Sequence, residues 1–210
     1  MTSVFAARAT IVAAAVSLLA LFALHVLKPD LHPSRTMISR YALGPYGWMM
    51  ALCFAAFGVA SGSLAVAMVP HARSLGGRIG IALLLTAAVG LVMAARFPMD
   101  PVNTPRAQMS HSGRMHGVAF LLGVPSMVLA VLVLSFALRG QLASAGWLLM
   151  TVTAVIWISL IAMIAIMLKV GPERPPDPNG PERFVGLPNR SLMLAYAVWL
   201  MVAAWPVAHW

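Results

Sequence analysis

The sequence predicts an all-α membrane protein, six transmembrane helices in one bundle, and three observations lead to that class. Hydrophobic residues make up 61% of the 210-residue chain and charged residues only 9%, whereas a soluble domain has ~45–50% apolar and ~25% charged residues. Six apolar runs each approach the ~20 residues with which a helix crosses a bilayer. No run carries a charged residue away from its ends. This composition excludes a cytosolic enzyme, a disordered chain and a free nucleic-acid-binding protein.

The six spans are predicted to form a single domain, residues 1–210, because the connections between them are too short to fold alone. The first run follows the pattern of a secretory signal, with Arg8 before an apolar stretch, but it is long for one and lacks a clean cleavage site. We therefore expect a retained helix. In chain order the spans are 5–27, 46–69, 79–97, 115–138, 146–168 and 191–209.

Small residues predict how the second span packs. Gly58 and Gly62 are four apart in a run rich in alanine and serine, and such small-xxx-small pairs let helix backbones approach closely in lipid. We expect this helix at the centre of the bundle, with a homodimer seam as the alternative. Pro125 lies inside the fourth span, where it removes a backbone donor and predicts a bend.

Long and short connections alternate along the chain. The connections near 28–45, 98–114 and 170–190 are long, and the two between them are short. Because successive spans cross in opposite directions, the three long loops are predicted to share one face of the bundle. All five acidic residues fall there. The last loop is rich in proline and glycine and predicts an extended flap across the bundle end.

The net charge of +9 comes from basic residues scattered through the loops. This distribution indicates contact with anionic lipid headgroups rather than with nucleic acid, which needs a contiguous basic surface. Ten of the 14 Lys and Arg residues lie on the long-loop face, so the positive-inside rule places that face in the cytoplasm. The single cysteine, Cys53, supports neither an internal disulfide nor a cysteine metal site.

Polar residues of the three long loops predict a site on the long-loop face. Arginines there carry planar guanidinium groups whose paired N–H donors suit phosphate or carboxylate. Hydroxyl groups beside them could add hydrogen bonds. Ionisable groups at a membrane boundary are unfavourable unless paired or hydrated. The alternative is that the arginines form no shared site and that each side chain extends separately to water. The candidate ligand-binding residues are Ser39, Arg40, Tyr41, Arg96, Asp100, Arg114, His116 and Arg190.

A metal site is the alternative interpretation of the same face. His25, Asp100 and His116 would give two imidazoles and one carboxylate, a set that binds zinc and activates water. His111 and His116 are a poor ligand pair if both are helical, because five residues turn them ~140° apart. The leading hypothesis needs no cofactor. Transport is a weaker alternative, since charged residues at mid-membrane are missing.

Short motifs of the chain resemble the domain of unknown function 998 family of small prokaryotic membrane proteins. They are Ile38-Ser39-Arg40-Tyr41-Ala42, Phe97-Pro98-Met99-Asp100, His116, and Gly186-Leu187-Pro188-Asn189-Arg190 before the sixth span. The resemblance implies a six-helix fold, no established activity, and characteristic residues at Ser39, Asp100, His116 and Arg190. It also implies a cytoplasmic N-terminus with the long loops outside, opposite to the charge count, so orientation stays open between the two. An acidic residue is more usual at the position of Arg40.

Together these observations predict an integral protein of the prokaryotic inner membrane, with membrane lipids as partners. A polar pocket beneath the long loops would bind a lipid headgroup or another small amphiphile. Two alternatives stay open: a metal-dependent lipid hydrolase, and a non-catalytic subunit of a larger membrane complex. A homo-oligomer is a further partner hypothesis, whereas nucleic acid is not expected as a partner.

Overall fold

The six-helix prediction is confirmed. In a computed structural model, which describes residues 1–101, 104–140, 145–170 and 184–209, each apolar run forms a helix, and each helix is long and apolar enough to cross a membrane. The described residues contain no strand, and two short 3₁₀ turns, Ile38–Ala42 and Arg106–Gln108, interrupt the connections. The helices are α1 (Thr2–Leu27), α2 (Gly47–Met68), α3 (Leu75–Arg96), α4 (His111–Leu138), α5 (Gly146–Val170) and α6 (Gly186–Ala208).

Four helices begin earlier than predicted, which corrects the predicted start points. Helix α1 starts at Thr2 rather than at 5. Helix α3 starts at Leu75 rather than at 79, because Ser74 caps it by accepting from the Gly77 amide at 3.1 Å.

Helix α4 starts at His111 rather than near 115, because Ser110 caps it by accepting from the Gly113 amide at 3.0 Å. Helix α6 starts at Gly186 rather than at 191, so the predicted pre-helix motif forms its first turn. Proline is tolerated in a first turn, where the amide has no helical partner anyway. The predicted flap at 171–183 lies outside the described residues.

Helices α2 and α6 lie at the centre, as predicted for α2. Helix α2 packs on α1, α3 and α6, and α6 packs on α1, α2 and α5. A β-carbon on Gly58 would lie 2.7 Å from the side chain of Val92 and 3.2 Å from the carbonyl oxygen of Ala88. The small residues of α2 therefore serve close approach to α3 within the chain, the role predicted for the interior of the bundle.

Buried hydroxyl groups join the helices where no water competes. Tyr196 on α6 donates to Ser61 on α2 at 2.7 Å, since the Ser61 hydroxyl itself donates to Phe57. The Trp199 indole donates to Ser135 on α4 at 2.8 Å, and Ser135 bonds Thr153 on α5 at 2.7 Å. Interhelical bonds of this kind contribute about 0.6 kcal/mol each in membrane proteins.

Helix α4 has one tight neighbour and one loose neighbour. On the α3 side, a β-carbon on Gly90 would lie 2.6 Å from the Gly123 Cα, so the two backbones are in direct contact. On the α5 side, an apolar groove of about 500 Å³ separates the helices over part of their length. Pro125, predicted to bend α4, lines that groove.

Candidate functional site

One end of the bundle carries most of the polar side chains that were predicted to form a site. At this end, which we call the polar end, α1 and α3 finish and α2, α4 and α6 begin. The connection from α1 to α2, residues 28–46, folds over it and is called the strap. Two distinct arrangements occur here: a hydrogen-bonded cluster around Arg190, and a cavity beside His116.

The arginine cluster consists of Arg190 and the four groups that accept its hydrogen bonds. The Arg190 Nε donates to His25 Nε2 at 2.8 Å, and one terminal nitrogen donates to the Tyr41 hydroxyl at 3.0 Å. The other terminal nitrogen donates to the carbonyl oxygens of Thr36 and, at 3.1 Å, of Gly186. The guanidinium also lies 5.4 Å from the centre of the Tyr41 ring. Arg190 thereby ties the strap and α1 to the first turn of α6.

The partners of Arg190 are themselves fully engaged. His25 Nδ1 lies 2.7 Å from the Leu21 carbonyl oxygen, which can only accept, so the proton is on Nδ1 and Nε2 is free to accept from Arg190. The Tyr41 hydroxyl donates to the Leu31 carbonyl oxygen at 2.8 Å, and Tyr41 is fully buried. Buried Lys28 donates to the carbonyl oxygens of Tyr41 and Leu43. Each of these polar side chains therefore already has hydrogen-bond partners within the fold.

Gly186 allows the strap to lie directly on α6. Its amide donates to the Ser34 carbonyl oxygen at 2.8 Å. A β-carbon there would collide with the carbonyl oxygen of Pro33 and would lie 2.8 Å from that of Thr36. A glycine is needed at this position for close backbone approach, because its φ angle is not the constraint.

Asp100 organises the start of α4. Its carboxylate accepts from the Ser110 amide at 2.8 Å and from the Ser110 hydroxyl at 2.7 Å, while Ser110 caps the helix. A carboxylate near a helix N-terminus is also stabilised by the helix dipole. Gly113 leaves room for it, because a β-carbon there would overlap the carboxylate. Asp100 thus acts as a structural group at the helix start.

His116 lies one turn further along α4 and borders a cavity of about 70 Å³. Its Nδ1 donates to the Phe97 carbonyl oxygen at 2.8 Å, which fixes the ring and the tautomer. Its Nε2 has no hydrogen-bond partner among the described residues and is therefore available as an acceptor when the ring is neutral. The residue is half-buried, with its ring beside that of Phe54 at 6.3 Å between centres.

Two other polar side chains border the cavity. Ser39, in the 3₁₀ turn of the strap, has no side-chain hydrogen bond within the described part of the chain. Asn189 accepts from the Ile38 amide at 2.8 Å and donates weakly to the Met163 sulfur at 3.7 Å. Every other lining residue is apolar or glycine, and none of them is charged. The cavity is therefore amphipathic, with its polar groups near the strap.

The predicted site residues separate into three groups. Ser39 and His116 border the cavity, whereas Tyr41 and Arg190 belong to the arginine cluster and Asp100 to the α4 cap. The remaining arginines stay outside the cavity lining. Exposed Arg96 lies over the Phe97 ring, exposed Arg114 donates to the Met109 carbonyl oxygen at 2.7 Å, and Arg40 is half-buried.

The predicted metal set is not assembled. His25 bonds Arg190, Asp100 bonds Ser110, and His116 bonds the Phe97 carbonyl oxygen. Within residues 1–101, 104–140, 145–170 and 184–209, no group of three His, Cys, Asp or Glu side chains is placed to hold a metal ion.

Sequence reasoning missed Asn189 and most of the apolar lining. Asn189 is buried and joins the strap to α6, and it stands in the motif already noted before Arg190. An amide in the first turn of an apolar helix was the available signal. The apolar lining gives no such signal, because leucine and methionine occur throughout every span.

These features define the class as an integral membrane protein of six helices with an amphipathic cavity at one end. The family model described as "Protein of unknown function (DUF998)" matches residues 11–206, so the chain belongs to that family. A search of curated proteins and a search of solved structures both give no match. The family match therefore establishes kinship, without an activity.

Proposed function

We propose that this protein binds a small amphiphile at the polar end of the bundle, with the ligand's head in the cavity beside His116. The observation that supports this is the pairing of an apolar cavity with an unused hydrogen-bonding atom, His116 Nε2. Ligand pockets are typically apolar with a few well-placed polar groups. The cavity has this composition, because Ser39, His116 and Asn189 are the polar residues in its otherwise apolar lining.

The chemistry of the lining selects the kind of head. A neutral His116 presents a lone pair on Nε2, so it favours a head that donates a hydrogen bond, such as a hydroxyl group. Ser39 can donate or accept, and Asn189 is already held by Ile38. No cation borders the cavity among the described residues, and a buried anion without a paired cation is strongly unfavourable. We therefore infer an uncharged, hydroxyl-bearing head rather than a phosphate.

The test compares an uncharged and an anionic probe of equal chain length. The purified protein is incubated with a monoacylglycerol or with the corresponding fatty acid, and the retained probe is measured by native mass spectrometry. We expect the monoacylglycerol to be retained preferentially and His116→Ala to lower its retention about tenfold, the factor expected from losing ~1.4 kcal/mol of one buried hydrogen bond.

His111→Ala is the matched control, because His111 lies on the same helix end and beside the Phe97 ring but is exposed and does not line the cavity. It should retain the probe as the unmodified protein does. Equal retention by the His116→Ala and His111→Ala variants would remove the proposal. Preferential retention of the fatty acid would overturn the uncharged-head assignment.

A further inference from the structure

The groove between α4 and α5 is a larger space than the His116 cavity, about 500 Å³ against about 70 Å³, and it adjoins the cavity. Phe120, Val124 and Met163 line both of them. From this shared wall the groove follows α4 to Leu129 and α5 back to Trp157. The two spaces therefore lie next to each other, and the groove continues away from the polar end.

The groove opens towards the bilayer and is apolar along its length. Its lining contains no charged residue. Ile164 is 44% exposed and Leu168 78% exposed, so the outer wall faces lipid directly. Entry from the side thus needs no passage through the strap.

The length of the groove matches one leaflet of a bilayer. From Phe120 to Leu129 the helix rises about 14 Å at ~1.5 Å per residue. This is close to half of the ~30 Å hydrocarbon core. An acyl chain whose head lies at the polar end would occupy this distance.

The groove also contains a buried polar atom without a partner. Trp157 lines it, and the Trp157 indole nitrogen is the only buried side-chain nitrogen or oxygen of the described residues without a hydrogen-bond partner. Such a group is costly in an apolar environment. Elsewhere in the described bundle, for example at Trp199, the indole nitrogen donates to a neighbouring helix.

From these observations we infer that the groove between α4 and α5 holds the acyl chain of the amphiphile whose head occupies the His116 cavity, and that the ligand enters sideways from the bilayer. This inference rests on the proposed function. It identifies the ligand class as a lipid with an uncharged, hydroxyl-bearing head and with either a single acyl chain or one acyl chain extended into the groove. The groove supplies contact to the chain and the cavity supplies recognition of the head.

The experiment uses a monoacylglycerol that carries a photoreactive diazirine near the end of its chain. After irradiation of the purified protein, the labelled residues are mapped by mass spectrometry of peptides. We expect labelling concentrated on the groove-lining stretches of α4 and α5, residues 120–129 and 157–168. Labelling spread evenly over the lipid-facing sides of α1 and α3 as well would overturn the inference.

Ile164→Trp blocks the groove, and Ile161→Trp is its matched control. Both positions are lipid-exposed isoleucines of α5, at 44% and 60%, but only Ile164 lines the groove. We expect Ile164→Trp to abolish the concentrated labelling and Ile161→Trp to preserve it. Equal labelling in the two variants would contradict the placement of the chain.

The outcome also separates this inference from the proposed function. Dispersed labelling together with retention that still depends on His116 would leave the cavity in place and remove only the groove. Retention independent of His116 would remove both. Native mass spectrometry of the same samples reports a second copy of the chain, and a dimer lost in Ile164→Trp without any bound lipid would assign the groove to self-association and overturn the inference.

Discussion

The arginine cluster and the His116 cavity lie at the same end of the bundle, yet they differ in what their polar atoms do. In the cluster, His25 uses both ring nitrogens, and Arg190 is bonded in four directions. In the cavity, His116 uses only one ring nitrogen for a hydrogen bond to the residues that the structure describes. The comparison teaches that a concentration of polar residues does not mark a binding site. Hydrogen-bonding capacity left unused beside an apolar space is the better basis for proposing one.

The largest effect is expected for Arg190→Ala, which removes the tie between the strap and α6. Loss of several hydrogen bonds from a charged, half-buried group, with His25 Nε2 and the Thr36 carbonyl oxygen left unpaired, should lower the free energy of unfolding by about 2–4 kcal/mol. Thermal unfolding in detergent measures this. Arg190→Lys should recover only part of it, because an ammonium group cannot reach all four acceptors. An unchanged melting temperature for Arg190→Ala would show that the cluster is not structural.

A smaller effect is expected for Gly186→Ala, which presses a methyl group into the strap. The added β-carbon meets the backbone of the strap rather than a flexible side chain, so the strap must shift. Overpacking of this kind destabilises by about 1–3 kcal/mol. Gly117→Ala is the control, because a β-carbon there meets no atom within 4 Å, and its stability should be unchanged or slightly raised. Equal melting temperatures for the two variants would contradict the close approach described for Gly186.

The smallest effect is expected for Arg96→Ala and Arg114→Ala, which remove two exposed cations that the sequence placed in the site. Neither side chain borders the cavity, so stability should change by less than about 0.5 kcal/mol. Retention of the monoacylglycerol should match that of the unmodified protein. A marked loss of binding in either variant would extend the site beyond the cavity to the loops and revive the anion hypothesis.

The helical architecture was readable from the sequence because hydrophobic length is a property of each span alone. A helix must satisfy its own backbone in lipid, so about 20 apolar residues specify it without reference to neighbours. The beginnings of α3, α4 and α6 were placed too late. Ser74 and Ser110 cap α3 and α4, and the first turn of α6 tolerates Pro188. Hydropathy does not register such local effects.

The candidate site was predictable only in part. The sequence singled out Ser39 and His116, and both border the cavity. It also singled out Tyr41, Asp100 and Arg190, whose polar atoms are used within the fold. Residue type alone cannot separate these roles, because a histidine that is fully bonded and one with a free nitrogen have the same letter in the sequence.

The amino-acid sequence by itself determined the class of protein, the number of spans and the polar character of one end, because these follow from the transfer of side chains between water and lipid. The tertiary structure alone decided which polar groups meet, that α4 touches α3 through Gly90 and Gly123, and that α4 stands apart from α5. Those relations depend on distances between segments far apart in the chain. A cavity or a groove forms where the side chains of neighbouring helices do not fill the space between them, so it depends on how the helices pack.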